Sequence, residues 1–102
     1  MEKSKPHYLL PEIQTEVILR GASAFTRTAL SNGRAMGLTV AQMLDVIRNL
    51  GRSNFYKSMA THFDHAVWQD VYHAKTPVGK ITYVKVTGMN DRSPPVIQFK
   101  EQ

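Results

Sequence analysis

Six side chains in the C-terminal half of the chain have the types needed to bind and cleave a phosphodiester without a metal ion. They are Lys57, Gln69, Tyr83, Lys85, Gln98 and Lys100. Lysine and glutamine neutralise and hydrogen-bond a phosphate, and a tyrosine or lysine beside other cations can transfer protons. Together they could activate a 2′-hydroxyl, stabilise a negative phosphorane and protonate the leaving oxygen. The competing interpretation is a solvated face of a sheet.

A second group of titratable residues invites a metal-site interpretation. It consists of His62, Asp64, His65 and His73. The HFDH spacing is not a standard ligand pattern, and the chain has no cysteine to complete a zinc site. We therefore expect Asp64 and His65 to orient a turn by hydrogen bonds rather than to hold a metal.

Two aromatic residues near this group could stack on nucleic-acid bases. They are Trp68, the chain's only tryptophan, and Tyr72. In a small domain, large aromatic side chains more often pack in the core. We interpret both as packing residues.

Alternation of apolar and polar residues predicts the strands that carry the phosphate-binding candidates. The segments 66–72, 81–87 and 96–100 alternate in this way, whereas 56–61 is ambiguous between the end of a helix and a strand. Trp68, Asp70 and Tyr72 share one face of the first strand, and Gln69 lies on the other. If the apolar sides of the last two strands pack on helices, Tyr83, Lys85, Gln98 and Lys100 project from the opposite face.

Three short helices are predicted before the strands, after an irregular segment at 1–10. The first begins at Pro11 and ends at Gly21, and the second follows Thr26 as its N-cap. The third has the strongest signals, because Thr39 and Gln42 form a capping box ahead of an apolar stripe. Helices followed by antiparallel strands indicate an α+β fold, and 102 residues are enough for one domain, 1–102.

Composition limits the possible compartment and partners. The absence of cysteine excludes disulfides and thiol catalysis, and no apolar run is long enough for a signal peptide or a membrane span. We therefore expect a cytoplasmic protein with no membrane partner. The net charge of +5 comes mainly from residues 21–60, which favours a polyanion or an acidic protein as partner. A solvated basic helix face is the alternative.

At these residues the sequence resembles a known family, the motility quorum-sensing regulator (MqsR) toxins of bacterial toxin-antitoxin pairs. The similarity covers nearly the whole chain: the opening MEKxxPHY, the FTxTAL segment, the block FYKSMxTHxDHxVWQDVYH, the YVKV strand and the closing FKE. FYKSM followed by WQDVY is too long and particular to arise by chance.

The resemblance implies a RelE-like α+β fold, with N-terminal helices packed on a small curved antiparallel sheet. It also implies a ribosome-independent mRNA interferase that cuts free mRNA at GC-containing triplets, chiefly GCU. The family's active-site residues match Lys57 of FYKSM, Gln69 of WQD, Tyr83 of YVK and Lys100 of FKE. The resemblance implies no cofactor and no metal. A non-catalytic RNA-binding or regulatory module of the same fold is the alternative function.

The implied partners are an mRNA substrate and a cognate antitoxin. In the family this antitoxin resembles MqsA and docks on the toxin through a zinc-binding N-terminal domain. DNA is expected to be contacted only indirectly, through the toxin-antitoxin complex.

Two departures from the family pattern affect the implied site. One extra residue lies between Gly79 and Tyr83, so Thr82 competes for the position of the tyrosine unless a bulge absorbs the insertion. The loop from Gly88 to Pro95 is also longer and contains two prolines. Because proline cannot donate to a ladder, we expect strand pairing to stop short of Val96, which leaves the reach of Lys100 open.

Overall fold

A computed structural model describes residues 2–60, 67–88 and 94–102. Within these ranges the chain forms three helices and a five-stranded antiparallel sheet with strand order β1-β2-β3-β4-β5. The elements are β1 (Glu2–Lys3), α1 (Leu10–Arg20), α2 (Arg27–Ala35), α3 (Val40–Arg48), β2 (Phe55–Ala60), β3 (Trp68–Lys75), β4 (Ile81–Thr87) and β5 (Val96–Glu101), with short 3-10 turns at Gly21–Ala24 and Arg52–Asn54. The predicted α+β fold is confirmed.

Helices α2 and α3 begin directly after their predicted N-cap residues, whereas α1 begins at Leu10, one residue before the predicted Pro11, and has no side-chain cap. The Thr39 side chain accepts a hydrogen bond from the Gln42 N–H at 3.1 Å, and the Gln42 side chain accepts one from the Thr39 N–H at 2.9 Å. Thr26 accepts from the Ala29 N–H at 3.0 Å and caps α2 in the same way. These bonds satisfy N–H groups that have no partner within the helix, so the sequence sets these boundaries locally.

Gly33, in the last turn of α2, is explained by the packing of α2 on α3. A Cβ atom at Gly33 would overlap the side chain of Met43. Glycine in a helix interior costs roughly 1 kcal/mol relative to alanine. Here it allows a buried methionine to lie directly against the backbone of the neighbouring helix.

The helices cover one face of the sheet, and the core lies between them. Its most buried members include Ile13 and Val17 of α1, Ile47 of α3, and two strand residues, Val84 and Phe99. Tyr72 belongs to this core, as predicted. Trp68 is only half-buried and packs under the N-terminal segment, with His7 stacked on it at 5.5 Å between ring centroids and the Lys3 Nζ 4.1 Å from its ring.

Two expectations about the strands are corrected, and one segment left ambiguous is now assigned. The lead-in predicted to be irregular contains β1, because Glu2 and Lys3 pair with Met59 and Ser58. The ambiguous segment after residue 55 is the strand β2, and β3 continues to Lys75 rather than ending at Tyr72.

Pairing also reaches further along the last strand than expected. Val96 pairs with Thr87, so Pro95 does not stop the ladder short of Val96. Proline lacks only its own N–H, and at Pro95 it precedes the first paired residue, where no ladder bond is lost. The register of β5 is therefore continuous from Val96 to Glu101.

The outer edge of β5 is covered by the chain before and within α2. The Thr26 N–H donates to the Ile97 carbonyl at 3.0 Å, and the Asn32 side-chain amide donates to the Phe99 carbonyl at 2.9 Å. These bonds occupy edge carbonyls that would otherwise be open to pairing with another strand. They also fix α2 beside the sheet.

Within the part of the chain described above, no helix has both the length and the apolar character needed to cross a bilayer.

Candidate active site

The face of the sheet that the helices leave uncovered carries most of the residues singled out for their chemistry. Because side chains alternate along a strand, this surface, which we call the open face, is formed by every second residue of β2 to β5. Its members are Lys57, Met59, Gln69, Val71, His73, Lys75, Ile81, Tyr83, Lys85, Thr87, Val96, Gln98 and Lys100. All four residues matched to the family's active site lie on it.

Tyr83 and Lys100 are directly opposite each other on neighbouring strands. Side chains in such a pair have Cβ atoms about 5 Å apart and can contact one ligand group together. Thr82 does not compete for this position, because it is fully buried on the helix-covered face and donates to the Lys100 carbonyl at 2.9 Å. No bulge interrupts β4 on either side, so Thr82 and Tyr83 lie on opposite faces of the sheet.

Lys57 reaches the open face through an irregularity in β2. Phe55 pairs with Tyr72 and Lys57 pairs with Val71, so Tyr56 is an extra residue between them. A bulge of this kind changes the face on which the following residues lie. Phe55 therefore packs edge-on against Tyr72 on the covered side, at 5.5 Å between ring centroids, while Lys57 projects from the open face.

An acidic partner holds the Lys57 side chain in place. Its Nζ lies 3.0 Å from a carboxylate oxygen of Glu2 on β1. This hydrogen bond raises the pKa of Lys57 above its ordinary value. Lys57 is therefore an ammonium ion at neutral pH, which suits it to bind a phosphate rather than to accept a proton.

Gln69 lies on the open face of β3, the strand next to Lys57, two residues before Val71, the pairing partner of Lys57. It pairs with Met59 on one side and with Thr87 on the other, and its amide nitrogen is 3.2 Å from the Thr87 hydroxyl. The hydrogen bond fixes the direction of a side chain that would otherwise be mobile. Gln69 can then present a carbonyl and an amide to a ligand in a defined orientation.

The spacing of the strands divides the four residues into a close pair and two outlying members. With strands about 4.8 Å apart and about 6.7 Å between alternate residues, the Cα atoms of Lys57 and Tyr83 are roughly 12 Å apart and those of Gln69 and Tyr83 roughly 14 Å. A lysine side chain can cover about half of the first distance, but a glutamine cannot reach the same phosphate as Tyr83. The four side chains are therefore too widely spaced to contact a single phosphate group together.

Sequence reasoning missed the aromatic group that surrounds Tyr83. The His73 ring stacks on Tyr56 and meets Tyr83 edge-on, each at 4.5 Å between ring centroids. The His73 Nε2 is buried and has no hydrogen-bond partner among the described residues. Alternation from Gln69 through Val71 would have put His73 on the open face, but its contact with Tyr56 depends on the bulge in β2, which the sequence does not reveal.

Only His73 of the residues in the metal interpretation is described, so that interpretation is not tested; among the described residues, no three His, Asp or Glu side chains form a group able to hold an ion. His62, Asp64 and His65 lie outside the described residues, so the turn-orienting role expected for Asp64 and His65 stays a prediction. The arrangement on the open face can neutralise a phosphate with lysines and transfer a proton through a tyrosine.

Two comparisons with known proteins, one with a family model and one with a curated relative, point to the same family. The sequence model of the family described as "Motility quorum-sensing regulator, toxin of MqsA" matches residues 5–101. A curated protein named mRNA interferase toxin MqsR, from Escherichia coli (strain K12), is 39% identical over 102 residues, which cover 100% of both chains. The match therefore includes every strand of the open face. The chain belongs to the MqsR toxin family.

Proposed function

We propose that the open face binds mRNA and cleaves it at a phosphodiester held between Tyr83 and Lys100, with Lys57 and Gln69 completing the site. The chain is an mRNA endoribonuclease toxin, as its family and its named relative indicate. The observation that carries the assignment of residues is the direct pairing of Tyr83 with Lys100 on a sheet face that also presents Lys57.

The proposed reaction needs no metal ion. The 2′-hydroxyl loses its proton and attacks the adjacent phosphorus, which passes through a five-coordinate phosphorane. The bond to the 5′-oxygen then breaks, and that oxygen takes up a proton, leaving a 2′,3′-cyclic phosphate and a 5′-hydroxyl. Cations beside the phosphorane stabilise its added negative charge, which is the largest contribution a site of this type can make.

Each residue is assigned a role that matches its surroundings. Lys100 and the charged Lys57 neutralise the phosphate, and Tyr83 takes part in proton transfer. Gln69, too far from Tyr83 to share one phosphate, positions a neighbouring nucleotide by hydrogen bonds. A glutamine whose amide is already oriented by Thr87 is suited to this positioning role.

The finer features of the activity are proposals from the resemblance. They are cleavage at GC-containing triplets such as GCU, inhibition by an MqsA-like antitoxin with a zinc-binding domain, contact with DNA only through that complex, and action in the cytoplasm. The description "toxin of MqsA" supports a protein partner of this kind. The basic excess in residues 21–60 also favours a polyanion or an acidic surface.

A cleavage assay tests both the reaction and the residues. Purified protein is incubated with a GCU-containing RNA in chelator, alone and after mixing with antitoxin. We expect cleavage that survives the chelator, stops with antitoxin and leaves a 2′,3′-cyclic phosphate. Binding without cleavage would instead support a non-catalytic RNA-binding module.

Four variants test the site residues: Lys57→Ala, Gln69→Ala, Tyr83→Phe and Lys100→Ala. We expect kcat/KM to fall about 100- to 1,000-fold for Tyr83 and Lys100. We expect smaller losses of about tenfold for Lys57 and Gln69, because their groups are more distant from the phosphate. Lys80→Ala is the matched control, since it removes one positive charge from an exposed side chain paired with Glu101 at 3.7 Å. Full activity in any two of the four variants would overturn the assignment.

A further inference from the structure

A cleft opens at the end of the open face where β5 meets α2. Its volume is about 340 Å³, and its walls include Thr28 and Asn32 from α2, Gln98 and Lys100 from β5, and Tyr83 from β4. Pockets that bind small molecules begin at about 300 Å³, so this cleft has room for a single base with its sugar. Nothing in the reaction described above uses its α2 wall.

Two hydrogen bonds hold the walls of the cleft at a fixed distance. The Asn32 amide donates to the Phe99 carbonyl, and the Thr26 N–H donates to the Ile97 carbonyl, at 2.9 and 3.0 Å. Both bonds join the helix wall to the strand wall. The cleft is therefore formed before any ligand binds, which lowers the entropy that binding must overcome.

The polar groups around the cleft suit the edge of a nucleobase. Asn32 and Gln98 each carry a carbonyl acceptor and an amide donor, and Thr28 carries a hydroxyl. Thr28 and Gln98 are exposed side chains on facing walls. A base has donors and acceptors along its edge and can be discriminated by paired contacts of this type.

The cleft adjoins the proposed catalytic pair, because Tyr83 and Lys100 line it as well. A phosphate held by these two side chains therefore has one of its nucleosides at the mouth of the cleft. Lys57 and Gln69 lie in the opposite direction across the sheet. An RNA strand that contacts all four residues would cross the sheet from β2 towards α2, and the nucleotide beside the phosphate held by Tyr83 and Lys100 would lie in the cleft.

We infer that this cleft binds the base of the nucleotide next to the cleaved phosphodiester and that Thr28, Asn32 and Gln98 determine which base is accepted. The inference rests on the proposed ribonuclease function and adds a base-reading site to it. These three residues contact the substrate away from the reacting atoms, so they set specificity rather than perform the chemistry.

The experiment measures base preference instead of activity alone. A panel of RNAs carries each of the four bases at every position near the cleavage site, and kcat/KM is determined for the protein and for Thr28→Val, Gln98→Leu and the double variant. We expect the preference at one flanking position to fall about tenfold for each lost hydrogen bond, with preferences elsewhere unchanged. Ser31→Ala, an exposed residue of α2 outside the cleft lining, is the control and should behave as wild type.

Two outcomes would overturn the inference. In one, the variants cleave with unaltered base preference at all positions. If the same variants also lost antitoxin binding, the cleft would be a protein interface. In the other, all RNAs are slowed by the same factor, which would mean that the cleft acts on the chemistry or on folding.

A binding measurement separates failure of this inference from failure of the proposed function. RNAs with a 2′-deoxy sugar at the cleaved position cannot react, so their affinities report base preference without cleavage. If Tyr83→Phe and Lys100→Ala keep full activity, the catalytic assignment fails, yet a loss of base preference in Thr28→Val and Gln98→Leu still supports the cleft. If affinity is the same for all four bases in the wild-type protein, the cleft does not read a base.

Discussion

The two faces of the sheet both carry polar side chains, but their polar groups have different surroundings. On the helix-covered face, Asp70 and Thr82 are almost completely buried and their oxygens are hydrogen-bonded to backbone groups. On the open face, Lys57 and Tyr83 are partly exposed, and their neighbours are other side chains. Buried polar groups with internal partners contribute to stability, whereas polar groups open to solvent remain able to bind a substrate.

The difference indicates how one small sheet can serve two purposes. Strand alternation sends neighbouring residues of the same strand to opposite faces, so a structural residue and a functional residue can be adjacent in sequence. The comparison predicts that substitutions on the covered face change the free energy of unfolding, and that substitutions on the open face change the reaction rate.

The largest expected contrast is between two neighbours on β4. Tyr83→Phe should lower kcat/KM about 100- to 1,000-fold and leave the free energy of unfolding within about 0.5 kcal/mol of wild type. Thr82→Val should instead change the stability and leave the reaction rate nearly unchanged. It removes the hydrogen bond to the Lys100 carbonyl and should lower the free energy of unfolding by about 1–2 kcal/mol, with kcat/KM within about twofold.

Urea unfolding and a single-turnover cleavage assay on both variants check this contrast. If Thr82→Val lost as much activity as Tyr83→Phe while remaining folded, Thr82 rather than Tyr83 would be the functional residue, and the division between the faces would be wrong.

A second prediction concerns the carboxylate that anchors the N-terminal segment. Asp70 is 1% exposed and accepts hydrogen bonds from the His7 and Tyr8 N–H groups at 2.9–3.0 Å. Asp70→Asn replaces one carboxylate oxygen by an NH₂ group, so a side-chain N–H would face the backbone N–H of His7 or Tyr8. We expect the free energy of unfolding to fall by about 2–3 kcal/mol.

Asp45→Asn provides the matched control, because Asp45 is an exposed carboxylate paired with Arg48 and its loss should change stability by less than about 0.5 kcal/mol. Equal changes in the free energy of unfolding for the two substitutions, measured by urea unfolding, would show that the buried hydrogen bonds of Asp70 stabilise the fold no more than an exposed ion pair does.

Alkaline pH should weaken the covered face through Tyr72. Burial, followed by the nearby negative charge of Asp70, raises the pKa of Tyr72 to about 12. Between pH 10 and 12 the unfolded chain loses the phenol proton while the folded chain keeps it, so the free energy of unfolding falls with rising pH, by about 2 kcal/mol for this group. Below pH 10 this contribution is fully present.

Unfolding curves at pH 9 and pH 11 for wild type, Tyr72→Phe and Tyr56→Phe measure this contribution. The decrease should be smaller in Tyr72→Phe, which has no phenol to titrate at this position, and unchanged in Tyr56→Phe, because residue Tyr56 is 54% exposed. A decrease of the same size in all three proteins would contradict the assignment to Tyr72.

Local sequence signals accounted for the helices and for the faces of the longer strands. The capping box at Thr39 and Gln42 formed as predicted, because both bonds are made within four residues. Alternation placed Gln69 and Asp70 on opposite faces correctly, since the period of a strand is fixed by its backbone. The resemblance, not the pattern, selected Lys57, Gln69, Tyr83 and Lys100 over Lys85 and Gln98.

Features that depend on contacts between distant segments could not be predicted. The strand β1 exists because Glu2 meets Met59 across the sheet, and two residues alone carry no strand signal. The bulge at Tyr56 and the contact of Tyr56 with His73 depend on the register of β2 against β3. The cleft depends on how α2 packs beside β5, more than sixty residues away in sequence.

The smallest expected effect comes from the contact between β1 and the open face. Because Glu2 is the ion-pair partner of Lys57 at 3.0 Å, its carboxylate competes with an RNA phosphate for that ammonium group. Glu2→Gln removes the competitor, so RNA affinity at low salt should rise about two- to fivefold, and the gain should disappear at high ionic strength. Glu16→Gln is the control, since it changes net charge equally but breaks an ion pair with Arg20 on α1. The measurement is the affinity of both variants for uncleavable RNA over a series of salt concentrations. A rise in affinity limited to Glu2→Gln would locate the effect at Lys57. An equal rise in Glu16→Gln would mean that the change in net charge alone is responsible.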